Sequence, residues 1–142
     1  MEFDPNRQTF SDCLARIEKV VKEVGLDTEK IITTSRDEKS IRAQKLLEVE
    51  NIPGGFRKWQ LPVALRCESQ MFISVGPPGA KVPRHSHDEG PGIRFIISGS
   101  IRYNGKELTG GDWMYIPKGA EYEFEVGLLG VTMCYCYCCC CA

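Results

Sequence analysis

The sequence predicts a mainly β protein with an α-helical segment at its N-terminal end. Three observations lead there. From Gly55 onward, short runs rich in β-branched and aromatic residues alternate with Gly- and Pro-containing turns. Within one of these runs, Glu121–Val126, the alternation is strict: Tyr122, Phe124 and Val126 share one face and three glutamates share the other. Before Gly55 the apolar residues instead recur at helical spacing. Many short strands of this kind indicate a sandwich or a small barrel.

The first helix is expected over residues 8–24, where Phe10, Leu14, Ile17, Val20, Val21 and Val24 follow a 3-and-4 spacing and Gly25 supplies the stop. Cys13 lies beside that stripe and reads as a small core residue. A second helix starts near Ser35 or Asp37 and ends near Glu48, with Ile41, Leu46 and Leu47 as its apolar positions. Asn51-Ile52-Pro53-Gly54-Gly55 then breaks the chain strongly. This divides it into a helical extension (1–54), a β domain (55–137) and a cysteine-rich tail (138–142).

The strand candidates are 56–61, 69–76, the stretch around the two histidines, 93–104, 112–117, 121–126 and 131–138. Asn104-Gly105 marks a hairpin and Gly110-Gly111-Asp112 another tight turn.

Composition removes some functions. A net charge of −1 over 142 residues leaves no broad basic surface for nucleic acid. No apolar stretch is long enough to span a bilayer, and the first ten residues lack the pattern of a secretory signal. The expectation is a cytoplasmic protein.

The chemistry concentrates in Arg84-His85-Ser86-His87, which holds both histidines of the chain. On a strand, side chains at i and i+2 share a face, so the imidazoles converge, and imidazole suits first-row transition metals. Gly79, five residues, His85-x-His87 and a closing Gly99 form one pattern; Gly111, five residues and Pro117-x-Gly119 form a second. Together these resemble the two motifs of the cupin superfamily across roughly residues 67–137. Two of that family's metal ligands are replaced here: its glutamate position holds Gly92 and its second-motif histidine position holds Tyr122.

The resemblance implies a cupin-type antiparallel β-barrel (a double-stranded β-helix, or jelly roll) and, by analogy, a homodimer. It also implies a divalent transition metal (Fe, Zn, Ni, Mn or Cu) held by His85 and His87. Glu89, in the loop 88–92, is the candidate substitute ligand. Tyr122 is expected to complete the coordination sphere, bind substrate or donate a proton. If Gly92 points inward, alternation turns Arg94 inward too, where its planar donors suit a carboxylate or phosphate. Arg94 is thus the expected anion anchor of a small-molecule substrate, with the alternative of a structural pair with a neighbouring glutamate. Trp113 and Tyr115 are expected either to line the substrate wall or to belong to the core.

Cys134, Cys136, Cys138, Cys139, Cys140 and Cys141 crowd the last nine residues, while Cys13 and Cys67 stand alone. Such thiol density suits a soft metal, a redox site or a modified end. Cys134 and Cys136 also read as small hydrophobes completing the barrel.

Two functions follow. One is a metal-dependent enzyme of dioxygenase, isomerase or lyase type acting on a small carboxylate-bearing substrate. The other is a non-catalytic small-ligand module, or a metal- or redox-sensing one, that uses its thiol tail.

Overall fold

A computed structural model describes residue 4 and residues 7–138. The chain forms two compact units: residues up to Asp27 with Asp37–Ala64, and Thr28–Arg36 with the residues from Leu65 on. The break expected after residue 54 therefore falls about ten residues later, and a short internal segment joins the β unit instead of the helices.

In the first unit, α1 (Phe10–Val24) begins at a capping box. The Thr9 hydroxyl accepts from the Asp12 backbone N–H at 3.1 Å, and the Asp12 carboxylate accepts from the Thr9 N–H at 3.1 Å. Gly25, at φ 72°, ends the helix in the left-handed conformation expected of a terminal glycine. Val20 and Val24 pack on Ala43 and Leu47, which is where α2 (Glu38–Leu46) meets α1. The inner face of α2 is Ser40, Ala43 and Leu47, whereas Ile41 and Leu46 are exposed. Small residues at 40 and 43 let the helices approach closely, and a pattern reading that looks only for large apolar residues misses that face. Residues 56–61 form no strand. They contribute an isolated bridge from Trp59 to Glu48, with Arg57 bonded to the Glu48 carboxylate at 2.8 Å.

In the second unit, seven strands among the described residues make one antiparallel sheet: β1 (Thr33–Thr34), β2 (Ser69–Gly76), β3 (Lys81–His85), β4 (Gly92–Tyr103), β5 (Lys106–Thr109), β6 (Trp113–Ile116) and β7 (Tyr122–Cys138). The order along the main path is β1-β6-β4-β7-β2, with β3 on β7 and β5 on β4. Asn104 and Gly105 both have positive φ, the geometry a tight two-residue hairpin needs. The two runs expected at 121–126 and 131–138 are halves of one long β7. Its first half pairs with β3 and the far end of β4; its second half pairs with β2 and the near end of β4. The change of partners falls at Gly127–Gly130, where Gly99 and Gly130 approach too closely to admit a Cβ.

The register fixes which side chains face the core. Gly92, Arg94 and Ile96 of β4 lie opposite Tyr137, Tyr135 and Met133 of β7, and Gly92 and Arg94 also lie opposite Ile116 and Met114 of β6. These residues, apart from Gly92 and Arg94, join Tyr122, Phe124, Val126, Val131, Ile101 and Leu108 in one buried cluster. The other face carries Ile93, Phe95, Trp113, Tyr115, Cys134 and Cys136.

Cys67, just before β2, is disulfide-bonded to Cys138, the last residue of β7, with Cα atoms 5.8 Å apart. Cys67 does not stand alone, and Cys138 is not a free tail thiol. Structural disulfides belong to oxidising surroundings, so this bond lends no support to the expected cytoplasmic location. Among the described residues, no helix is long and apolar enough to cross a membrane. Cys139, Cys140 and Cys141 lie outside the described residues.

Candidate functional site

β3 delivers His85 at its last position, and His87 follows just beyond it. The two rings meet edge to face with centroids 5.0 Å apart. The His85 Nδ1 lies 2.7 Å from the Pro83 carbonyl oxygen, which can only accept, so Nδ1 carries the proton. The His87 ring sits among Tyr122, Tyr135 and Tyr137, with centroids 6.0, 5.4 and 4.9 Å away.

The centre of the site is the Tyr122 hydroxyl. It accepts from Arg94 Nε at 3.1 Å and Arg94 Nη2 at 2.9 Å, and it lies 3.2 Å from His87 Nε2. With both lone pairs engaged by arginine, the Tyr122 proton can point towards His87 Nε2 or towards the Tyr135 hydroxyl, with which it interacts. Arg94 is 9% exposed and has no carboxylate partner among the described residues. Its charge is held by the Tyr122 oxygen and by aromatic faces, with Cζ 4.0 Å from the Tyr135 ring centroid and 5.4 Å from that of Phe124.

Electrostatics follow from this packing. Burial, then the neighbouring His85, then Arg94 hold the His87 pKa below its usual value; Asp88 opposes them weakly. Burial pushes the Tyr135 hydroxyl well above the ordinary tyrosine range. Its oxygen is buried and interacts with the neighbouring Tyr122 hydroxyl.

The expected site residues separate accordingly. The structure brings His85, His87, Arg94 and Tyr122 together. It does not bring Glu89 in as a ligand. The loop that was expected to let it swing is tied down by Glu89 N–H to Tyr137 Oη (3.3 Å), Cys138 N–H to the Pro91 carbonyl (3.0 Å) and Gly119 N–H to the His87 carbonyl (2.9 Å). Trp113 and Tyr115 do not line the wall. Met114 is the β6 residue opposite Arg94, so its two neighbours point to the other face. Arg94 spends its Nε–H and one Nη2 N–H on Tyr122, which leaves both Nη1 N–H groups and the second Nη2 N–H uncommitted among the described residues. Tyr135, Tyr137 and Phe124 are site residues that the sequence reading passed over. The signal was the Cys134-Tyr135-Cys136-Tyr137 alternation, whose chemistry was assigned to the thiols.

A divalent metal does not fit this donor set. Among the described residues, no group of three or more His, Cys, Asp or Glu side chains is arranged to hold one. The place where a side chain at 92 would reach is filled, since a Cβ there would lie 2.6 Å from both Cε2 and Oη of Tyr135. Arg94, already a buried cation, adjoins the Tyr122 hydroxyl, and a second cation beside it would meet its charge.

No family model matches the chain, and no curated protein matches it. Solved structures do. A cupin-like protein of unknown function from Ralstonia eutropha JMP134 is 22% identical, with a TM-score of 0.45, over 50% of this chain and 47% of that one. An RmlC-like cupin from the same organism is 19% identical (TM-score 0.44; 49% and 47% covered). A cupin protein from Bacteroides fragilis is 28% identical (TM-score 0.41; 54% and 66% covered). The chain thus spans about half the length of the first two. Those three are described as cupin-like or cupin proteins, and a further one, from Klebsiella pneumoniae, as having a double-stranded β-helix domain.

Proposed function

We propose that the β unit binds a small acidic molecule at the mouth formed by His85 and His87, and exchanges a proton with it through His87 and Tyr122 without a resident divalent metal. One observation carries the reading: a single phenolic oxygen accepts two arginine N–H bonds and sits beside an imidazole nitrogen. That arrangement makes Tyr122 a proton carrier. When its proton passes to His87 Nε2, the oxygen left behind is held by the fixed charge of Arg94. His87, kept neutral by burial and by His85 and Arg94, has the lone pair ready to receive that proton near neutral pH.

For a ligand oxygen there remain the outer edge of the Arg94 guanidinium, with its two Nη1 N–H groups and the second Nη2 N–H. The Arg94 guanidinium gives the site a positive charge that favours a carboxylate. Of the reaction types the sequence suggested, isomerase- or lyase-type proton transfer suits these groups.

Calorimetric titration of metal-stripped protein with a panel of small mono- and dicarboxylates tests the reading, with the His87 side-chain nitrogens followed by NMR. Binding that survives chelation, shifts the His87 resonances and weakens in Arg94→Lys supports it. Binding that appears only after a divalent metal is added back would overturn it.

A further inference from the structure

The sheet face opposite Arg94 holds a second group of chemically active side chains. Cys134 and Cys136 lie two residues apart on β7, on one face. The register puts Cys136 opposite Met71 and Cys134 opposite Ile73 on β2; on the β4 side they face Ile93 and Phe95. Both cysteines are free and partly exposed, and Met71 is 71% exposed. Directly opposed residues of an antiparallel ladder have Cα atoms about 4.5–5.5 Å apart. Same-face neighbours on one strand are about 6.7 Å apart. Two thiols and a thioether therefore lie within reach of one small ion.

The rest of the patch is apolar, with Ile73 and Val75 exposed on β2. Ile93 and Phe95 supply no oxygen or imidazole from β4. Cys138 shares this face but is committed to Cys67.

We infer that Cys134, Cys136 and Met71 form a site for a soft metal ion of low coordination number, Cu(I) in particular. Sulfur donors in apolar surroundings select such an ion, whereas Mg, Ca and Mn need oxygen ligands that this patch does not offer. Binding converts both thiols to thiolates and releases two protons per ion, with no change of oxidation state. The site lies on the opposite face from the Tyr122 network and stands or falls independently of the proposed proton transfer.

The test uses the full chain with Cys139, Cys140 and Cys141 changed to Ser. It is titrated anaerobically with Cu(I) against bathocuproine disulfonate, with ascorbate as a reductant that leaves the Cys67–Cys138 bond intact. One Cu(I) per chain is expected. Outer-sphere partners of metal ligands are worth 10–100-fold in affinity, so loss of a direct ligand in Cys134→Ser or Cys136→Ser should cost more than about 100-fold. Met71→Leu, which keeps the volume, should cost about 10-fold and drop one sulfur from the X-ray absorption ligand count. Circular dichroism of each variant checks that the fold is kept. Cu(I) binding equal in the parent and in Cys134→Ser/Cys136→Ser would overturn the inference. So would nitrogen or oxygen ligands in the absorption spectrum of the unsubstituted site, a measurement that needs no variant to fold.

Discussion

Gly92 and Tyr135 are complementary in volume. The space a side chain at 92 would take is occupied by the ring edge and hydroxyl of Tyr135, at 2.6 Å from where the Cβ would stand. Tyr135 in turn lies beneath the Arg94 guanidinium. A small residue on one strand thus lets an aromatic ring from the next reach the middle of the site.

Gly92→Ala should destabilise the protein by about 1–3 kcal/mol through overpacking, since the contact is with a ring held on both sides. Denaturant unfolding measures it. In the double variant with Tyr135→Leu the cost should shrink; equal costs with and without the tyrosine ring would show that the two residues do not compete for space.

The two inner tyrosine hydroxyls should behave differently. Tyr122→Phe strands two Arg94 N–H groups and should cost about 2–3 kcal/mol, because unsatisfied charged donors are expensive. Tyr135→Phe removes a hydroxyl that interacts with the Tyr122 hydroxyl and holds no charged donor, so it should change stability by less than about 1 kcal/mol. Urea melts of the two variants, run side by side, check both.

His87 sets a pH dependence. Its folded pKa is lowered from 6.5 by burial, His85 and Arg94, with Asp88 opposing. The unfolded chain then binds the proton more readily than the folded one. Stability falls as pH drops from about 6.5 towards the folded value, and is level above that window. His87→Gln should flatten this part of the stability–pH curve, measured as unfolding midpoint against pH.

Cys138→Ser opens a closure spanning 71 residues between Cys67 and the end of β7. Loss of stability of about 2–4 kcal/mol is expected, with the unfolding midpoint of the wild type falling to the same level on reduction. A melt of the wild type insensitive to dithiothreitol would contradict this.

Asp112 ties β1 to the sheet. Its carboxylate accepts from Ser35 Oγ at 2.8 Å, Arg36 Nε at 2.9 Å and Thr109 N–H at 2.8 Å. Burial pushes its pKa up, but these bonds outweigh burial and hold it below 3.8. The stability it confers is present above about pH 4 and is lost as pH falls through the lowered value. Asp112→Asn should cost about 1–3 kcal/mol and should raise hydrogen exchange first at Thr33–Thr34.

Local elements were legible where local chemistry decides them. The Gly25 stop, the Asn104-Gly105 hairpin and the alternation of Tyr122, Phe124 and Val126 each act within a few residues. The two-residue β1 was not legible, since Thr33 and Thr34 become a strand only by pairing with Tyr115 and Met114 far along the chain. The face of α2 was misread because its buried residues, Ala43 against Val20 and Val24 and Ser40 beside it in the helix, are small and carry little hydrophobic signal.

What the sequence determined by itself is the fold class and the inward side of each strand, because a period of two and turn chemistry are properties of consecutive residues. It placed His85 and His87 on one face and Tyr122 with Phe124 and Val126 for that reason, while the inward position of Arg94 followed from the resemblance that put Gly92 at an inward ligand position. Only the tertiary structure decided what those residues do together. Whether Arg94 meets a ligand, a glutamate or the Tyr122 oxygen depends on distances across four strands. Whether position 92 is an open place or a filled one depends on the ring that β7 sends into it. The Cys67–Cys138 bond belongs to the same class, since connectivity between distant cysteines is set by where the folded chain brings their Cα atoms.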